Sequence, residues 1–382
     1  MALHLRSRLP KVGTTIFTVM SALAQEHQAI NLSQGFPDFD GHPDLKRLVK
    51  EHIDAGHNQY APMAGLMELR EAVSEKIEGQ HGHSYDPVSE ICITAGATQA
   101  IFTAIMALVH PGEEVIIVEP AYDCYAPAIE LARGTVVRVS FDMAKADLDT
   151  DALDHAISDR TRMVIINTPH NPTGHIISES SMKWLEQRLT GTEVIVLGDE
   201  VYEHIIFDGR IHESVARFPG LRERSLLVSS FGKTFHTTGW KIGYCAGPEP
   251  IMTEFKKVHQ FNVFCVNRPI QHALAEFLKK KEVYLELNDF YQQKRDFFCK
   301  AIEGSRFKFV PSAGTYFQLL DYSDIDMRTD IEVAKQWTKE KGIASIPISV
   351  FYGDPPEQQY LRFCFAKNEE TLEQAAQLLR QL

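Results

Sequence analysis

Apolar residues in this chain come in short runs that stop abruptly at polar clusters. Ile91-Cys-Ile-Thr-Ala95 runs into Gly96-Ala-Thr98, and Val115-Ile-Ile-Val118 into Glu119-Pro-Ala-Tyr122. Met163-Val-Ile-Ile166 leads to Asn167-Thr-Pro-His-Asn171-Pro-Thr-Gly174, and Glu193-Val-Ile-Val-Leu197 to Gly198-Asp199-Glu-Val-Tyr202. Leu226-Leu-Val228 leads to Ser229-Ser230-Phe-Gly-Lys233. Runs this short and this apolar read as strands buried on both faces. After Thr98 the apolar residues fall at Ile101, Ile105, Leu108 and Val109, which is helical spacing. Strand, polar cluster, helix: the repeated order predicts an α/β fold with a mostly parallel sheet covered by helices. Its functional edge is expected at the carboxyl ends of the strands.

The two ends of the chain follow another pattern. Ile16, Phe17, Met20, Leu23 and Ala24 mark a helix, and Asn31-Leu-Ser-Gln-Gly35-Phe-Pro-Asp-Phe39 a strand that breaks into a turn. A polar loop, Asn58–Gly65, precedes a helix expected over Leu66–Ile77. Beyond about residue 275, helices are expected over Ile270–Lys280 and Tyr284–Ile302. Short alternating runs follow at Phe307–Pro311, Gly314–Leu319 and Tyr360–Ala366, which together suggest a second, smaller α+β domain. The N-terminal residues are expected to join it, giving a large domain over 41–275 and a small one from 1–40 plus 276–382.

Composition narrows the class. A length of 382 residues, 44% hydrophobic and 24% charged, is that of an ordinary soluble enzyme of more than one domain. A net charge of −12 without a basic stripe argues against a nucleic-acid partner. No apolar run approaches a membrane span, and Met1-Ala-Leu-His-Leu-Arg6 lacks the apolar core of a signal peptide. The six cysteines are scattered with no C-x-x-C pair, so free thiols in a reducing, cytoplasmic setting are expected, with no metal site.

The candidate chemistry centres on Lys233. An amine beside small hydroxyl residues at a strand end could form a Schiff base with an aldehyde cofactor. The hydroxyls and Lys241, eight residues on, would hold that cofactor's phosphate. Two plainer alternatives remain from the residues alone, a surface loop lysine and the tail of a nucleotide-binding P-loop. The second fails on spacing, because Leu227 stands where the motif needs glycine. Gly96-Ala97-Thr98, entering a helix, is either an anion site or a simple βα turn. Tyr122 either stacks on a flat ring or packs, and Phe17 either faces a ligand or the core. Tyr60 is available to a phosphate or a partner chain, or packs. Gly35 allows close backbone approach or only serves its turn. Arg362, alone in an apolar strand, needs a partner to justify burial.

Taken together, Asn171-Pro-Thr-Gly174, Asp199-Glu-Val-Tyr202, Ser230-Phe-Gly-Lys233 with Lys241, and Arg362-Phe-Cys-Phe365 resemble the class I/II aminotransferases. These are enzymes of pyridoxal-phosphate fold type I, and the resemblance spans nearly the whole chain. It implies that Lys233 carries the cofactor and moves the substrate proton, that Asp199 pairs with the pyridine nitrogen, and that Tyr202 and Asn171 contact the ring's phenolic oxygen. Tyr122 would stack on the ring. Gly96, Ala97, Thr98, Ser230 and Lys241 would hold the phosphate, joined by Tyr60 of the partner subunit in a homodimer with shared active sites. Arg362 and Gly35 would take the substrate carboxylate. Many relatives use arginine where Lys241 stands.

Four further stretches resemble the branch that holds bacterial methionine aminotransferases and the kynurenine aminotransferase/glutamine transaminase K enzymes. They are Leu32–Phe39, Glu119–Tyr125, Lys233–Lys241 and Ile346–Tyr352. In that branch Phe17, Tyr122 and, across the dimer interface, Phe264 would line the side-chain pocket. Apolar walls favour methionine and aromatic amino acids as donors to a 2-oxo acid. Thr98, where the kynurenine enzymes carry an aromatic, directs the reading to methionine. The alternative is a kynurenine or glutamine transaminase with β-lyase activity on cysteine conjugates.

Overall fold

The computed structural model describes residues 3 and 5–382. Residues 1, 2 and 4, at the start of the stretch expected to join the small domain and to lack a signal peptide, lie outside the described residues. A helix over Ile16–Glu26 leads to a two-residue strand, β1 (Ile30–Asn31). The large sheet then takes eight strands: β2 (Ile91–Thr94), β3 (Glu114–Glu119), β4 (Thr135–Asp142), β5 (Asp147–Leu148), β6 (Thr161–Asn167), β7 (Ile195–Asp199), β8 (Ser225–Ser230) and β9 (Gly243–Ala246). Their spatial order is β2-β9-β8-β7-β6-β3-β4-β5. The run from β4 through β3, β6 and β7 to β8 is parallel, while β9 lies antiparallel between β8 and β2.

The unbroken apolar runs have a simple cause. Side chains alternate between two cores, one on each face: Ile116, Val118, Val164, Ile166 and Val196 belong to one, Val115, Ile117, Met163, Ile165 and Leu197 to the other. A strand covered on both sides has no solvent face to fill with polar residues. The helix Gly96–Leu108 seals the second core with Ala100, Ile101, Ala104, Ile105 and Leu108.

The C-terminal part supplies β10 (Phe317–Asp321), β11 (Ile343–Ala344), β12 (Ile346–Pro347) and β13 (Tyr360–Cys364). β13 lies antiparallel between β10 and β12. β11 pairs in parallel with β1, so Ile30 meets Ile343 across most of the sequence. Three expectations shift. The helix expected from Leu66 runs over Met67–His81, and the one expected over Tyr284–Ile302 splits at Glu286 into Glu282–Leu285 and Leu287–Ala301. The run from Phe307 is not a strand; Lys308 alone bridges to Asp321.

Register sets the functional edge. Asn167 at the end of β6 stands opposite Asp199 at the end of β7, and Asp199 opposite Val228 of β8. One step further along, Gly243 pairs with Ser230 on one side and Thr94 on the other. Gly243 has to be glycine for close approach: a Cβ there would sit 2.5 Å from the Ser229 carbonyl oxygen and 3.1 Å from Gly96 Cα. Gly96 in turn opens its helix at φ +76°, where a side chain strains the backbone. Gly243→Ala should therefore cost about 1–3 kcal/mol by overpacking. Thermal unfolding checks this, and an unshifted midpoint would contradict the close packing of β9 against the Gly96 turn.

Candidate active site

A cavity of about 240 Å³ opens at the carboxyl ends of β2, β6, β7 and β8. Its walls contain Phe17, Gly35, Gly96, Ala97, Thr98, Tyr122, Asn171, Asp199, Tyr202, Ser230, Lys233, Lys241 and Arg362. The anticipated residues are thus brought together from strand ends far apart in sequence, with two exceptions. Tyr60 and Phe264 stand outside this cavity; they are exposed and meet each other edge to face, ring centroids 5.2 Å apart.

Lys233 sits in the short helix Phe231–Thr234 that follows β8. Its amine donates to the Gly35 carbonyl oxygen at 3.1 Å and to the Tyr316 hydroxyl oxygen at 2.9 Å. Burial pulls the amine down to about 8, with Arg362 and Lys241 adding repulsion of a positive charge. An amine lowered this far loses its proton far more readily near neutrality than an ordinary lysine, as a lysine base or nucleophile needs.

Asp199 closes β7 and is buried. The Tyr125 hydroxyl donates to its Oδ2 at 2.5 Å, whereas Oδ1 is buried with no hydrogen-bond partner among the described residues. Burial raises the carboxyl to about 6, against the opposing pull of Tyr125 and the Val201 backbone. An orphaned buried acceptor is costly, and it marks where a donor from a ligand belongs.

Arg362 comes from the middle of β13 and is 1% exposed. One amine of its guanidinium donates to Asn171 Oδ1 at 2.7 Å and the other to the Ser33 carbonyl oxygen at 3.1 Å, while Nε is unpartnered. Three aromatic faces surround it, with Phe317 at 3.9 Å, Phe17 at 5.4 Å and Phe351 at 5.5 Å. Among the described residues no carboxylate forms an ion pair with it. A buried cation held only by neutral acceptors and ring faces is prepared for an anionic ligand.

The far end is built for a smaller anion. Gly96, Ala97 and Thr98 form the first turn of a thirteen-residue helix whose dipole points its positive end at the cavity. Lys241 takes a left-handed conformation (φ +54°) directly after the turn Thr238–Trp240. This brings its amine to 3.4 Å from where a Cβ on Gly96 would stand. Ser230 completes that end. Tyr122 lines the same cavity, its ring 5.9 Å from that of Tyr125 at 80°.

Four participants were not singled out from the sequence. Asn167 ends β6 as Asp199 ends β7, so the same strand-end position could have found it. Its amide donates to the Asp199 backbone carbonyl and its Oδ1 accepts from the Asn171 backbone. Tyr125 and Tyr316 act through long-range hydrogen bonds and carry no local signal. Gln34 donates to the Phe17 carbonyl and to Ser21, tying the first helix to the cavity wall.

The aminotransferase class I and II family model matches residues 27–379. The chain is 51% identical to methionine aminotransferase of Escherichia coli, over 99% of this chain and 98% of that one. A crystal structure of an E. coli protein with methionine aminotransferase function superposes with a TM-score of 0.97, covering 100% of both chains at 51% identity. The N-succinyldiaminopimelate aminotransferase structure from Mycobacterium tuberculosis gives 0.95 at 36% identity, covering 99% of this chain and 100% of that one. Human kynurenine–oxoglutarate transaminase 1 is 34% identical over 94% of this chain and 93% of that one. Its sequence, its cavity and these likenesses agree: the chain belongs to the class I and II aminotransferase family.

Proposed function

We propose that this protein is a pyridoxal-phosphate-dependent aminotransferase that takes the amino group of methionine, and of aromatic amino acids, and transfers it to a 2-oxo acid. The observation that carries the cofactor assignment is the buried, unpartnered Oδ1 of Asp199 in the same cavity as the Lys233 amine. Pyridoxal phosphate, when bound, supplies an aldehyde for amine exchange and a pyridinium ring that stores the electron pair freed at the substrate Cα. The residues fit it. Asp199 Oδ1 would accept from the ring nitrogen, with Tyr125 holding the other carboxyl oxygen in place. Tyr122 would cover the ring. Asn171 spends its Oδ1 on Arg362, which leaves its amide N–H groups, with the Tyr202 hydroxyl, for the ring's phenolic oxygen. Gly96, Ala97, Thr98, Ser230 and Lys241 would hold the phosphate. Lys241 offers a point charge rather than the two-pronged contact of arginine.

Lys233 takes the proton from the substrate Cα and returns it to the product side, which its lowered basicity permits. Arg362 binds the substrate carboxylate beside Gly35, its orientation fixed by Asn171 and the Ser33 carbonyl. The donor side chain meets Phe17, an apolar wall. The cations lining the cavity are Lys233, Lys241 and Arg362. All three are engaged by this assignment, so among the described residues of this chain a second carboxylate, as in aspartate, finds no cation of its own. The likeness to a methionine aminotransferase supports the same choice.

The proposal extends to a homodimer. Tyr60 and Phe264 are 79% and 46% exposed in the single chain, which supports a role for both at a subunit interface. There, Tyr60 of the partner subunit would reach the phosphate and Phe264 of the partner subunit would close the side-chain pocket. A division into a large domain over 41–275 and a small one from 1–40 plus 276–382, and a cytoplasmic setting, belong to the same reading. Among the described residues no helix is long and apolar enough to cross a membrane, and the six cysteines are unpaired.

Two predictions follow from this reading. Lys233→Ala should abolish both turnover and the absorbance band that arises from the bond between the lysine and the cofactor, and single-turnover rates for the parent enzyme should rank methionine above kynurenine and aspartate. Activity surviving in Lys233→Ala, or aspartate reacting faster than methionine, would refute the corresponding assignment. The second concerns pH. With the folded Asp199 carboxyl raised to about 6 from 3.8, the folded cofactor-free protein holds this proton more tightly than the unfolded chain. That contribution to stability is complete below the unfolded value and is lost as pH rises through about 6. Asp199→Asn should then stabilise the cofactor-free protein near neutrality by roughly 2 kcal/mol while leaving stability in acid little changed. Denaturant titrations across pH measure this; parallel curves for the two proteins would contradict it.

A further inference from the structure

Tyr316 precedes β10 at its N-terminal end and is fully buried, yet its hydroxyl touches the Lys233 amine. The hydrogen-bond count around that amine is informative. The Tyr316 hydroxyl donates its one proton to the Gly35 carbonyl oxygen at 2.6 Å, which leaves the phenol oxygen to act as an acceptor. Lys233 Nζ donates to that oxygen at 2.9 Å and to the Gly35 carbonyl oxygen at 3.1 Å. A neutral amine has two N–H groups and one lone pair. The two oxygens stand on one side of the amine, which turns its N–H donation toward them and leaves the lone pair directed elsewhere. Lys233 and Gly35 both line the cavity, so this hydrogen-bonded amine stands at its wall.

The phenol cannot easily leave this post. Its ring is caged by Phe317 at 4.9 Å, Tyr202 at 5.2 Å and Tyr291 at 5.7 Å. Burial also keeps its proton bound, since it pushes the phenol well above the ordinary tyrosine range. The Gly35 turn is pressed against the same segment, because a Cβ on Gly35 would stand 2.8 Å from Phe317 Cζ.

We propose that Tyr316 is a positioning residue that, with the Gly35 carbonyl, accepts hydrogen bonds from the neutral Lys233 amine, fixing where the amine stands at the cavity wall while its lone pair stays free. The inference rests on the reading of Lys233 as the cofactor-carrying amine. Tyr316→Phe keeps the ring and removes only the hydroxyl. In the holoenzyme it should lower kcat for methionine about tenfold, the scale of one ordinary hydrogen bond, with KM changed by less than about twofold. In cofactor-free protein, the shift of the pyridoxal phosphate absorbance band after mixing should develop more slowly by a similar factor. Pyridoxine phosphate, which lacks the aldehyde and cannot engage the amine, should bind both proteins alike.

A hydroxyl that merely ties the Gly35 turn to β10 would weaken pyridoxine phosphate binding in parallel, and that result overturns the proposal. So does an unchanged rate of pyridoxal phosphate capture. Failure of the underlying reading looks different: the absorbance band of pyridoxal phosphate would then not shift on mixing with the parent protein.

Discussion

Covering both faces of the large sheet leaves its carboxyl edge as the place where the strands can present polar groups, and the site depends on that constraint. β7 places Asp199 there, β6 Asn167 and β8 Ser230, each as the last residue of its strand. Register then makes these ends neighbours, because Asn167 pairs with Asp199 and Ser230 with Gly243. The arrangement opposes stability. Asp199 Oδ1 and Arg362 Nε are buried without partners, and Lys233 is held where its charged form is disfavoured. Each such group would be better solvated in the unfolded chain. The two cores carry that cost, which is why the edge can stay prepared for ligands rather than collapse into internal pairs.

The fold was legible where burial left a mark in the sequence. Strands with both faces covered read as solid apolar runs, and β2, β3, β6, β7 and β8 were all visible that way. β4 was not, because its residues lie partly exposed near the sheet's end and alternate irregularly. β9 is Gly-Tyr-Cys-Ala, too short and too mixed to stand out, yet it packs the phosphate turn. The run from Phe307 failed in the opposite sense: its alternation suggested a strand, but only Lys308 finds a bridging partner.

The site divides along the same line. Lys233, Asp199, Tyr202, Asn171 and Arg362 were legible because each sits in a compact motif at an element's end or in an apolar strand. Tyr125 and Tyr316 were not. Each acts on a residue distant in sequence, 74 positions away for Tyr125 to Asp199 and 83 for Tyr316 to Lys233, and nothing local distinguishes either from a packing tyrosine. Phe264 is legible only as a resemblance, and Tyr60 shows no more than a tyrosine in a polar loop, free to meet a phosphate or a partner chain. Within one chain they contact each other and not the cavity.

Charge gives these parts a common logic. The chain carries a net −12, but its cavity gathers Lys233, Lys241 and Arg362 against the single carboxylate of Asp199. Burial first, then the positive charges of Arg362 and Lys241, lowers the Lys233 amine. Under the proposed function both of those cations acquire anionic partners, Lys241 a phosphate and Arg362 a carboxylate. Neutralising them weakens the repulsion that a proton on Lys233 would feel. That coupling follows from placing three cations in one cavity.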